Sequence, residues 1–136
     1  MRAFALALVL MLAGTAAFAD SAGVVGANRF PEKTGAQLYG AICQGCHMPD
    51  GKGAIGAGAY PALAANANLE GAGYPVYYVL YGRKAMPGFG GFLDDAQVAE
   101  VVNFVRTNFG NKYADPVKAE DVKASRQPDY EYSTLD

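Results

Sequence analysis

The chain has 136 residues, a formal net charge of −2, 51% hydrophobic residues, 17 glycines and no tryptophan. This length suits one domain, and the slight acidity argues against nucleic acid or an anionic membrane surface as the main partner. So many small residues leave a thin apolar core, which a covalently held apolar cofactor would help to fill.

The first segment reads as a signal peptide spanning residues 1–19. Arg2 supplies a positive start, Ala3 to Leu12 form an unbroken apolar run, and Ala17-Phe18-Ala19 offers a small-x-small cleavage site. The run is shorter than the roughly 20 apolar residues that a transmembrane helix needs. The segment therefore predicts export to the periplasm and no transmembrane anchor after cleavage. Cleavage removes one base, Arg2, and no acid, so the net charge moves from −2 to −3. Residues 20–33 are small and polar with one proline and read as a leader strand or loop over the surface.

A helix is expected from Thr34, which can cap it with Gln37 three positions on as a capping box. Leu38 and Ile42 fall on one face of that helix. It runs into Cys43-Gln44-Gly45-Cys46-His47, which holds both cysteines and the single histidine of the chain. C-x-x-C-H is the pattern of c-type haem attachment. Two thiols three positions apart on a helical turn can each add to one vinyl group of the porphyrin. The next residue then presents an imidazole to the iron as proximal ligand. Three other readings compete: a structural disulfide between Cys43 and Cys46, a thioredoxin-like pair, which would need a βαβ context, and a zinc site, which would need about four ligands.

From about Thr34 to Phe109 the chain resembles class I, single-haem cytochrome c. The resemblance implies an all-α cytochrome c fold, with about three to five short helices wrapped around one covalent haem c. In that family Gly35 and Tyr39 match a glycine and an aromatic at which the C-terminal helix crosses closely. Asp50 to Tyr60 holds four glycines and is expected to lack regular structure and to wrap the haem as backbone. Tyr60-Pro61-Ala62-Leu63 resembles the family's Pro-x-Leu, whose proline carbonyl accepts a hydrogen bond from the ligand histidine, here His47. Such a bond would fix the imidazole tautomer and raise its basicity.

Tyr74 to Tyr81 is short and apolar, with Pro75 suited to a first helical turn and Gly82 to a stop. Periodicity alone leaves a strand open, and the family pattern favours a helix. Ala85-Met86-Pro87-Gly88-Phe89 follows. With one histidine in the chain, a second imidazole ligand is impossible. Met48 adjoins His47 and cannot reach the opposite face, so Met86 is the expected sixth ligand, and the Met-Pro step matches the family's distal loop; Met86 as core filler and Lys84 as ligand are the competing readings. Met/His ligation raises the reduction potential. Tyr78, Tyr81 and Arg83 are candidates to pack on the ring or bind its propionates.

Asp94 to Phe109 is the strongest helix pattern. Asp94 and Gln97 form a capping box, Val98, Val101, Val102 and Val105 form the apolar face, and Gly110 stops it. Val101, Phe104 or Val105 should meet Gly35 and Tyr39. The cytochrome c domain is thus drawn at residues 34–110, and residues 111–136 as a polar C-terminal tail. Asp115 to Arg126 offers one short helix, with Asp115 as cap and Pro116 at its first position. The last ten residues have a disordered composition. Removing the tail after Lys112 is expected to cost little stability. Asn108-Phe109-Gly110-Asn111, with Asp115-Pro116-Val117 beyond, resembles cytochrome subunits that accompany bacterial periplasmic dehydrogenases.

The implied function is periplasmic electron transfer without substrate chemistry. A periplasmic dehydrogenase would be the donor, and an oxidase or another cytochrome of the respiratory chain the acceptor. The alternative is a haem enzyme or gas-sensing cytochrome with a labile sixth ligand.

Overall fold

A computed structural model of the chain describes residues 30–56 and 58–131. The expected signal peptide, most of the leader and the end of the tail lie outside the described residues. The first helical run is continuous but changes pitch: α1 spans Gly35–Leu38, a π-helical turn Tyr39–Cys43, and α2 Gln44–His47. Thr34 caps α1, its hydroxyl accepting from the Gln37 amide while the Gln37 side chain accepts from the Thr34 amide. The π turn inserts a residue into the helical repeat. It moves the face of the run from Leu38 and Tyr39, which enter the core, toward Cys43 and His47.

A 3₁₀ turn (Ala67–Leu69), α3 (Gly73–Tyr81), α4 (Asp95–Thr107) and α5 (Ala119–Ser125) follow. No described helix is long and apolar enough to cross a membrane. Asp94 caps α4 through the expected capping box with Gln97. The buried Gln97 also donates to the Phe30 and Glu32 carbonyls at 2.8 Å each, tying the entering chain to α4. The core gathers Leu38 and Tyr39 with Leu69, Val76, Leu80, Val98, Val101, Val102 and Val105.

The crossing of α1 over α4 depends on Gly35. A Cβ there would lie 2.2 Å from the Glu100 carbonyl oxygen and 2.6 Å from Phe104 Cβ. Phe104 is thus met as expected, while the closest partner is the Glu100 backbone. Tyr39 stacks against Phe104 and Phe109 at centroid distances of 5.5 and 4.9 Å.

Three expectations need correction. The fold is mostly helical but not wholly so: within the glycine-rich segment β1 (Ala54–Ile55) pairs antiparallel with β2 (Ala59–Tyr60). Its glycines permit a reversal tight enough for two short strands to bond across it. The tail helix starts at Ala119, not at Pro116. The Asp115 carboxylate is taken by Arg106 Nη2 at 2.8 Å, and the Asn103 side chain exchanges two hydrogen bonds with the Val117 main chain. Residues 115–117 are therefore held outside the helix, with a bend at Asp115, and Lys118 takes the cap position with Asp121. Nor does the core close at Phe109, because Val117 and Val122 are buried within it at 6% and 0% exposure. A polar segment with one valine in each short stretch can still supply core side chains where two helices leave a groove.

Candidate cofactor site

Cys43 ends the π turn and is half-buried, while Cys46 is exposed on α2; both are free thiols. Burial, and then the neighbouring Cys46, push the Cys43 thiol up to about 12. A thioredoxin-like pair needs a βαβ context, and the described residues place these thiols on a helical run beside a two-stranded antiparallel hairpin instead. Among the described residues no three His, Cys, Asp or Glu side chains gather as a metal-ion site.

His47 closes α2 and is 9% exposed. Its Nδ1 lies 2.9 Å from the Pro61 carbonyl oxygen. A carbonyl only accepts, so Nδ1 carries the proton and Nε2 keeps the lone pair that can bind a metal. The chain around this pair is tightly specified. Met48 turns at φ 66°, and its carbonyl accepts the Tyr39 hydroxyl at 2.7 Å and the Gly51 amide at 3.1 Å. The Gly53 amide donates to the His47 carbonyl at 3.0 Å. Gly53 has φ 65°, and a Cβ there would sit 2.1 Å from the Tyr60 carbonyl. The Gly51 carbonyl accepts from both Leu63 and Ala64, at 2.7 and 2.9 Å, which fixes the segment just beyond Pro61.

Met86 sits half-buried on the loop between α3 and α4. α3 stops at Gly82, with φ 71°, where a Cβ would meet the Met86 carbonyl at 2.4 Å. Arg83 and Met86 then exchange two main-chain hydrogen bonds of 2.9 Å around Lys84, which has φ 54°. Beyond Pro87 the loop returns along α3, with Phe89 N–H donating to Val79 O and Gly90 N–H to Leu80 O. Arg83 Nη1 donates to the Tyr78 hydroxyl at 2.7 Å. The Tyr81 hydroxyl donates to the Ser125 carbonyl and accepts from the Gln127 amide. The polar ends of all three candidate ring neighbours thus engage protein groups.

Two residues that sequence reasoning passed over matter here. Arg106 has no exposed surface and donates to the Leu69 and Glu70 carbonyls and to Asp115. Arg126 donates to the Gly90 and Leu93 carbonyls and pairs with Asp95. Neither belongs to a local motif, and apart from Asp115, nine residues from Arg106, their partners lie 31 to 37 residues away in sequence. An arginine at a helical core position, between Val105 and Thr107, was the available signal for Arg106.

The fold and the C-x-x-C-H helix define a c-type cytochrome domain. The family model described as cytochrome c oxidase, cbb3-type, subunit III matches residues 31–105, and the chain belongs to that family of c-type cytochromes. It is 35% identical over 113 residues to the gluconate 2-dehydrogenase cytochrome c subunit of Pantoea cypripedii, covering 70% of this chain and 24% of that one. It is 35% identical over 105 residues to the cytochrome c subunit of the quinone alcohol dehydrogenase of Gluconobacter oxydans, covering 68% and 22%. The fructose dehydrogenase cytochrome subunit of Gluconobacter japonicus is 37% identical over 108 residues, again covering 68% and 22%. The chain thus spans about a quarter of the length of these curated relatives. Membership implies covalently bound haem c, and the donor set fits it: two thiols on one helical turn, and an imidazole whose Nδ1 is committed to a carbonyl so that Nε2 can face iron.

Proposed function

We propose that the chain is a periplasmic one-electron carrier with a single haem c, bonded through Cys43 and Cys46 and ligated by His47 and Met86. A dehydrogenase supplies the electron, and an oxidase or another cytochrome of the respiratory chain receives it. The observation that carries this reading is the 2.9 Å approach of His47 Nδ1 to the Pro61 carbonyl, immediately after the two thiols. That bond orients the imidazole as an axial ligand and makes it more basic.

Haem supplies the redox step, cycling between ferric and ferrous iron. The protein's part is to set the potential and keep the iron closed to small molecules. A thioether from Met86 does both, as a soft ligand that favours the ferrous state. The likeness to cytochrome subunits of gluconate, alcohol and fructose dehydrogenases supports a dehydrogenase as donor.

The test compares the reduced parent protein with Met86→Ala in carbon monoxide. The parent should bind little. The variant should keep its haem, bind carbon monoxide readily and have a lower reduction potential. A parent that binds carbon monoxide as readily as the variant would favour the sensor or enzyme reading instead.

A further inference from the structure

The family match ends at residue 105, yet the chain continues over the molecule to residue 131 in an ordered course. That continuation is pinned at four places. Asp115 is bound by the buried Arg106, and Val117 is bonded to Asn103 in both directions. Val122 is fully buried in the core. The last attachment, around Ser125 to Gln127, has no need to hold α5 in the core, and it falls on the loop that carries Met86.

The contacts there are specific. On the α3 side of the loop, Tyr81 donates its hydroxyl to the Ser125 carbonyl at 2.8 Å and accepts from the Gln127 amide at 2.7 Å. On the α4 side, Arg126 Nη1 donates to the Gly90 carbonyl at 2.7 Å and Nη2 to the Leu93 carbonyl at 2.9 Å. Arg126 Nε pairs with Asp95 in the first turn of α4. Three consecutive residues of one segment therefore grip both legs of the loop at its base. Between the legs, Arg83, Lys84, Ala85 and Pro87 are exposed, and the loop's other ties are the Arg83–Met86 pair, the Arg83–Tyr78 hydrogen bond, the two bonds back to α3 and the Phe92 and Leu93 amides on the Phe89 carbonyl.

We infer that residues 125–127 are a clamp on the sixth-ligand loop, with Arg126 as a positioning residue that acts through Met86. The inference rests on Met86 being an iron ligand. The physical reason is loop entropy. A ligand on a loop dissociates when the loop opens, and fixing both legs removes conformations in which the thioether swings away. A guanidinium suits the task because its planar fork reaches two carbonyls and a carboxylate at once, which a lysine cannot do.

Four full-length, haem-loaded variants test this in the ferrous state, by carbon monoxide affinity and reduction potential. Arg126→Ala should keep its haem and bind carbon monoxide roughly tenfold more tightly than the parent, equivalent to about 1.4 kcal/mol, with a lowered potential. Arg126→Lys should recover only part of the difference. Val117→Ala removes core volume from the same segment without touching the clamp, and should lower stability with no change in carbon monoxide affinity. In the Met86→Ala background, adding Arg126→Ala should change nothing further. An Arg126→Ala protein with parental affinity and potential would overturn the clamp, as would equal effects from Val117→Ala. If Met86→Ala itself fails to open the iron site, the ligand assignment falls first, and that outcome is distinct from a failure of the clamp alone.

Discussion

Tyr39 shows how much one side chain can carry in so small a domain. It is buried at 3% exposure, stacks on Phe104 and Phe109, and donates to the Met48 carbonyl just after His47. Burial, then the neighbouring Cys43 and Asp50, push its phenol from 10.0 up to about 12. The folded state thus disfavours the phenolate. The stability this contributes is fully present below pH 10.0 and is lost as pH rises through about 12. With haem bonded through Cys43 as proposed, that residue would be a thioether and would not titrate, but burial, the largest cause, remains. Unfolding free energy measured across this range should fall less steeply in Tyr39→Phe than in the parent. Equal slopes would mean that the phenol ionises without strain in the fold. At this scale the sequence was most readable where chemistry is local. Cys43, Cys46 and His47 stand side by side, whereas the environment that buries Tyr39 comes from α4 and the turn after it.

Among the elements, those with signals at both ends were legible. The Thr34–Gln37 and Asp94–Gln97 boxes both form, and α3 stops at Gly82 as expected. Helix α4 ends at Thr107, before Gly110, because Asn108 leaves the helix and Phe109 takes φ 57° to turn its ring toward Tyr39. The π turn over Tyr39–Cys43 had no readable mark, since it answers to the two faces that the run must present. Helix α5 was misplaced because Asp115 and Pro116 make a good local start, and a long-range partner, Arg106, outcompeted it. This changes an expected outcome. Truncation after Lys112 removes Val117 and Val122 from the core and leaves Arg106 without Asp115. Two buried valines at about 1.5–3 kcal/mol each set a loss of roughly 3–6 kcal/mol, a large part of a typical domain's stability. Denaturant unfolding of the haem-loaded truncated protein should show the shift, and an unchanged midpoint would mean that α5 rests on the core without supporting it.

Seen whole, the described residues form a mostly helical fold with the C-x-x-C-H helix at one place and the Met86 loop at another, and a C-terminal segment joined to both α4 and that loop. The mostly helical fold and the thiol-imidazole site were readable from one motif, two capping boxes and the pattern of α4. The small hairpin was not, because a glycine-rich stretch carries no strand pattern of its own, and the buried tail was not, because it depends on partners in α4 and the core. The chain matches only about a quarter of the length of its curated relatives, which act as subunits of dehydrogenases. Everything proposed of its electron traffic therefore depends first on the cofactor bond. The most direct measurement is the mass of the purified protein after acid denaturation. It should equal the polypeptide plus one haem in the parent, and the bare polypeptide when Cys43 and Cys46 are both replaced by serine. A parent whose mass is that of the bare polypeptide would contradict the assignment at its root.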